Sequence, residues 1–174
     1  MKKIAIIGKP ASGKSTLSKK LAAATGIKLH ALDSILYQAN GAEIERADYE
    51  AIHQDIIAAR EWIIEGFGPM NSLHSFNKRL EAADTVIYID LPYTTTYWLV
   101  TKRFLKGLFK KPEGWPEGSS IWHGTLQSYK VLKLCPKFWN AQFLQRLETL
   151  TSDKTLHVIR SVAQLDNFVA THVK

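Results

Sequence analysis

Residues Gly8-Lys9-Pro10-Ala11-Ser12-Gly13-Lys14-Ser15 spell G-x-x-x-x-G-K-[ST] directly after an apolar run and directly before a helix-forming one, the setting in which that pattern has a physical meaning. The run Ile4-Ala5-Ile6-Ile7 has the composition of a strand buried on both faces of a parallel sheet. Gly8 and Gly13 let the chain turn where a Cβ would block it, so that backbone N–H groups converge on phosphate oxygens. From Lys14 to Ala24 the residues are good helix formers, with Leu17 and Leu21 four apart, and a helix starting there adds its N-terminal partial charge. A nucleoside triphosphate site is therefore expected. Gly8, Ala11, Ser12, Gly13, Lys14, Ser15 and Thr16 are its contacts, with the Lys14 ammonium on the β- and γ-phosphates and the Ser15 hydroxyl on Mg²⁺.

A chain of 174 residues, 45% of them hydrophobic, is long enough for one well-buried core and short for two. We expect one domain over residues 1–174 with an insertion at about 102–137. The first strand begins at residue 3, which leaves no room for a leader, and no apolar stretch nears the ~20 residues of a membrane span. With a single cysteine, Cys135, the expectation is a soluble chain in a reducing cytoplasm. Six of the +7 net charges lie in residues 88–174. Lys102, Arg103, Lys106, Lys110, Lys111, Lys130, Lys133 and Lys137 face only Glu113 and Glu117 over 102–137, so that segment should meet an anion.

Strand-like and helix-like segments alternate along the chain. Strands are predicted at 4–7, 27–32, 62–64, 85–90 and 156–159, and helices at 14–24, 47–60, 72–83, 94–107, 121–134, 138–150 and 162–169. Residues 110–120, with Pro112, Gly114, Pro116 and Gly118, read as loop. Five strands with helical crossovers imply a three-layer α/β/α fold on a five-stranded parallel sheet. Ligands then sit at the carboxyl ends of the strands, which gathers Gly8 to Ser15, Asp33, Glu65 to Pro69, Asp90 and the residues after Ile159 at one edge.

Phosphoryl transfer asks a protein for positioning, positive charge, and an acid to hold the metal or take the acceptor's proton. Asp33 is placed to orient or deprotonate an acceptor hydroxyl, the alternative being an N-cap on the next helix. Glu65 closes one apolar strand and Asp90 another; either position suits an acid that holds Mg²⁺ through water, with Glu65 favoured and Asp90 given a structural role. The six histidines are scattered without ligand spacing, so no structural metal is expected.

The turn Glu65-Gly66-Phe67-Gly68-Pro69 resembles the Asp-Gly-Phe-Pro-Arg turn of adenylate kinases, and Ile89-Asp90-Leu91-Pro92 followed by Lys102-Arg103 and Gly107 resembles the entry to their lid. The order of these segments with Leu32-Asp33, Arg79 and Ala83-Asp84 is similar to the adenylate-kinase-like bacterial DNA topology-modulation proteins. That resemblance implies the nucleoside monophosphate kinase fold of P-loop NTPases, sheet order 2-3-1-4-5, ATP with Mg²⁺, and a basic helical lid. It also implies that Arg103 packs beside adenine and phosphates, and that backbone atoms of Ser161 and Val162 meet the base. The arginine that follows Pro in adenylate kinases has no counterpart at Met70, so the likeness does not extend to an AMP acceptor. Arg79 and Gly66 remain as acceptor-side candidates, Arg79 being equally readable as an exposed helix residue.

The basic segment also carries Phe104, Phe109, Trp115, Trp122, Tyr129, Phe138 and Trp139. These rings read either as a small core for the lid helices, the favoured reading, or as a stacking platform for nucleic acid. Two functions follow: an ATP-dependent kinase acting on a small-molecule acceptor, as a monomer or small homo-oligomer, and, less favoured, a DNA-binding regulatory NTPase. No residue pattern names the acceptor.

Overall fold

The computed structural model describes residues 1–37, 42–69, 72–107 and 121–173. Its strands are β1 (Lys3–Gly8), β2 (Leu29–Ala31), β3 (Trp62–Glu65), β4 (Thr85–Ile89) and β5 (Thr155–Ile159). They form one all-parallel sheet of order β2-β3-β1-β4-β5. The helices are α1 (Lys14–Thr25), α2 (Leu32–Leu36), α3 (Arg46–Ala58), α4 (Leu73–Ala82), α5 (Tyr93–Gly107), α6 (Ile121–Leu134), α7 (Ala141–Leu150) and α8 (Val162–His172).

Alternation along the strands builds the two layers. Ile4 and Ile6 of β1, Ile63 of β3, Ile87 and Ile89 of β4 and Ile159 of β5 pack with Leu17 and Leu21 of α1 and Phe168 of α8. Ala5, Ile7, Trp62, Ile64, Val86 and Tyr88 face the other way and pack with α3, α4 and α7 through Tyr49, Ile56, Phe76, Leu80 and Leu147. Both faces are covered, which is why these strands are near-continuous apolar runs. Among the described residues no helix is long and apolar enough to cross a membrane.

Most boundaries shift by one to three residues, and two of the shifts bear on the site and its neighbours. The second strand keeps only Leu29–Ala31, because Leu32 already opens α2. The helix expected from residue 138 starts at Ala141: the Asn140 side chain caps it by accepting from the Phe143 N–H at 2.9 Å, and Cys135–Lys137 form a short 3₁₀ turn before it. α5 and α6 pack on each other through stacked Tyr97 and Tyr129 and, within the expected insertion, through edge-on Phe104 and Trp122. The loop expected at 110–120, with Lys110, Lys111 and Trp115, lies outside the described residues, as does Phe109.

Candidate nucleotide and phosphoryl-transfer site

The phosphate loop joins β1 to α1. Its start depends on Gly8 (φ +146°), where a Cβ would stand 2.4 Å from the carbonyl oxygen of Ile89 on the neighbouring β4. Its end depends on Gly13 (φ +92°), the N-cap of α1, where a Cβ would press within 3.0 Å of Leu165 on α8. Ala11 also has positive φ, at 56°. The loop therefore leads straight into the start of α1, whose first amides have no partner within the helix and suit a backbone cradle for anions.

Lys14 donates from Nζ to the Lys9 carbonyl at 2.9 Å, so its ammonium lies back across the loop. Burial lowers its pKa, while the carboxylates of Glu65 and Asp33 raise it and Arg103 lowers it further. Lys14, Glu65, Asp33 and Arg103 thus share one electrostatic neighbourhood, although α1, β3, α2 and α5 supply them separately. The Ser15 hydroxyl donates to Oε2 of Glu65 at 3.3 Å. Burial pushes the Glu65 carboxyl up, opposed by Lys14. Ser12 is fully buried with its hydroxyl unpaired, and Thr16 is exposed at the helix start.

The second strand-end acid has another fate. Asp90 is ion-paired to Lys9 and accepts from the Tyr88 hydroxyl at 3.2 Å, while the Lys9 ammonium sits 4.7 Å from the centroid of the Tyr93 ring. Lys9, in a variable position of the loop motif, is only 2% exposed. Nothing in the local sequence marks it, since its partner is 81 residues away.

Asp33 is the second residue of α2 rather than its cap; the N-cap is Ala31. The carboxylate is exposed at the strand edge, which removes the capping alternative. Arg103 donates to the Ser128 hydroxyl on α6 at 2.8 Å, and burial lowers its pKa. Ser161 is the N-cap of α8, its hydroxyl accepting from the Gln164 N–H at 3.1 Å, and Val162 is 44% exposed. Both stand at the start of the helix that packs on Gly13. Gly66 has φ +116° and stands at the end of β3.

Arg79 is not an exposed helix residue. It is fully buried, and Nη2 donates to the carbonyls of Gly66 at 3.1 Å and Phe67 at 3.2 Å. Among the described aromatics of the basic segment, Phe138 and Trp139 pack with Phe67, Phe143 and Tyr88, and Tyr129 and Phe104 engage rings on the facing helix. Trp122 remains 63% exposed. Tyr129 and Phe104 therefore pack between the two helices, as the favoured reading expected, whereas Phe138 and Trp139 join the core beside the sheet rather than a separate lid core.

No protein-family model and no curated protein sequence matches this chain. Solved structures do. Shikimate kinase from Acinetobacter baumannii, in complex with shikimate, superposes with TM-score 0.57 at 12% identity over 98% of this chain and 93% of that one. Shikimate kinase from Bacteroides thetaiotaomicron does so with TM-score 0.55 at 10% identity, over 97% and 94%. A likeness at such low identity is one of architecture. It matches the five-stranded 2-3-1-4-5 sheet and the helices on both its faces: this chain has the fold of the small P-loop kinases.

Proposed function

We propose that this chain is an ATP-dependent kinase that transfers the γ-phosphoryl group to a hydroxyl of a small-molecule acceptor. The observation that carries the reading is the hydrogen bond between Ser15 of the loop and Glu65 of β3, with Lys14, Asp33 and Arg103 around it. In this reading the loop amides and Lys14 bind the β- and γ-phosphates, Arg103 adds positive charge beside them, and Ser161 and Val162 flank the base.

The Ser15 hydroxyl and the Glu65 carboxylate are the donor pair that fits Mg²⁺: a hydroxyl and a buried acid that already face each other. Bound there, Mg²⁺ would neutralise charge on the nucleotide's phosphates. Asp33 stands on the acceptor side, where its carboxylate orients the attacking hydroxyl and accepts its proton as the new P–O bond forms and the bond to the β-phosphate oxygen breaks. The backbone at Gly66 forms part of the acceptor wall. The fold shared with a shikimate-bound kinase supports an acceptor of similar size, a small hydroxylated metabolite, nucleoside or nucleotide.

The test is transfer of labelled γ-phosphate from ATP to a pooled panel of such acceptors, with Lys14→Ala as the control. A labelled product formed by the wild type and absent from the variant is expected. Equal product from both would overturn the reading. Asp33→Asn should lower transfer while nucleotide binding persists.

A further inference from the structure

The turn after β3 has an unusual support. The Gly66 N–H still bonds to Ile6 O on β1 at 3.2 Å, but the sheet ladder stops there. The carbonyls of Gly66 and Phe67 turn inward, where both accept from the one Arg79 nitrogen. On one side of the turn, a Cβ at Gly68 (φ +89°) would meet the Tyr49 hydroxyl oxygen at 2.5 Å. On another, a Cβ at Gly66 would meet Cβ of Leu32, the residue before Asp33, at 3.3 Å. Arg79, Tyr49 and Leu32 thus enclose the turn that directly follows Glu65, and Leu32 directly precedes Asp33.

We infer that Arg79 is a positioning residue: from within the core its guanidinium holds the Gly66–Phe67 turn in the shape that forms the acceptor-side wall. The inference rests on the proposed phosphoryl transfer and assigns Arg79 an indirect part in it. A leucine or methionine at position 79 would fill the same space beside Phe76 without placing a charge in the core, and burying a charge is costly unless it is held by good hydrogen bonds. The charge is retained where it grips two carbonyls that no strand pairs. A planar guanidinium, 5.2 Å from the Phe76 ring centroid, does this from a fixed orientation. Burial lowers the Arg79 pKa to about 10, opposed by the nearby Tyr49 hydroxyl, and its Nε and Nη1 are buried and meet no acceptor in hydrogen-bonding geometry. An acceptor lying at the strand edge therefore touches the turn and not the guanidinium.

The experiment uses the full chain, as wild type, Arg79→Met and Gly68→Ala. Three quantities are read: amide hydrogen exchange at Gly66, whose buried N–H bonds to Ile6 O, affinity for a fluorescent ATP analogue with Mg²⁺, and ATP turnover with the acceptor panel. Arg79→Met should speed exchange at that amide at least tenfold and lower kcat at least tenfold, with nucleotide affinity held within twofold. A merely structural arginine would move affinity and turnover together. Unchanged exchange, unchanged turnover, or parallel loss of nucleotide affinity would each overturn the inference.

Gly68→Ala keeps Arg79 and displaces the turn from outside, so it decides the matter even if Arg79→Met does not fold. It should lower turnover and spare affinity, and wild-type turnover in it would overturn the inference. A wild-type chain that turns over no ATP would overturn the kinase reading instead, and exchange in Arg79→Met, or in Gly68→Ala, would still report on the support of the turn.

Discussion

Lys9 and Asp90 form an ion pair that ties the second residue of the phosphate loop to the residue following β4. The lysine is 2% exposed and the aspartate side chain 29%, so the pair seals one flank of the loop and engages one of the two acids at the strand ends. Glu65, the other acid, instead faces the Ser15 hydroxyl. The register explains the division. Gly8 pairs with Ile89 on one side of β1, so Asp90 falls beside the start of the loop, whereas Glu65 pairs with Ile6 on the other side and its carboxylate meets Ser15 at the loop's far end.

Removing Asp90 should leave Lys9 charged and buried. Asp90→Ala is expected to lower stability by about 3 kcal/mol, the low end for one partner of a buried pair because the carboxylate is partly solvated. Urea denaturation measures this. A loss under about 0.5 kcal/mol, the scale of ordinary surface changes, would show that the pair does not hold the loop.

Glu65→Gln separates metal binding from nucleotide binding. The variant should bind ATP in EDTA about as well as the wild type, while the Mg²⁺ concentration needed for half-maximal turnover rises on the order of tenfold or more. Titration calorimetry with and without Mg²⁺ checks both halves. If Asp90→Asn produced that Mg²⁺ effect and Glu65→Gln did not, the two acids would exchange roles.

Gly8→Ala should destabilise the chain without touching any side chain of the site. The new Cβ would stand 2.4 Å from Ile89 O at φ +146°. Backbone strain of that kind costs on the order of 1–3 kcal/mol. In a chain of this size that corresponds to a Tm lower by roughly 2–12 °C, read by calorimetry.

His53 predicts a pH dependence of stability. It is 2% exposed and stacks on Tyr49, and burial together with Arg79 and Lys78 brings its pKa from 6.5 down to about 4. The unfolded chain therefore binds more protons between those values, so this contribution is complete above pH 6.5 and is lost as pH falls towards 4. Unfolding free energy should drop by about 2 kcal/mol from pH 7 to pH 5 through this group. A His53→Phe variant should flatten that slope in urea titrations at the two pH values.

What the sequence determined by itself was local. The loop motif, with its strand before and helix after, is written in consecutive residues, and the apolar runs at Ile4–Ile7, Trp62–Ile64 and Val86–Ile89 carry the two-sided burial that makes a parallel sheet. Even the acids at the strand ends could be named, because strand ends are marked by where those runs stop. The tertiary structure decided what each polar group faces: that Asp90 is held by Lys9, that Asp33 lies within α2 rather than capping it, that Arg103 meets Ser128, and that Arg79 lies inside the core under the turn. These partners are separated by up to 81 residues. A charged side chain on a short amphipathic helix looks the same in sequence whether it reaches solvent or a buried carbonyl, and only the strand register and the packing of α4 against the sheet distinguish the two.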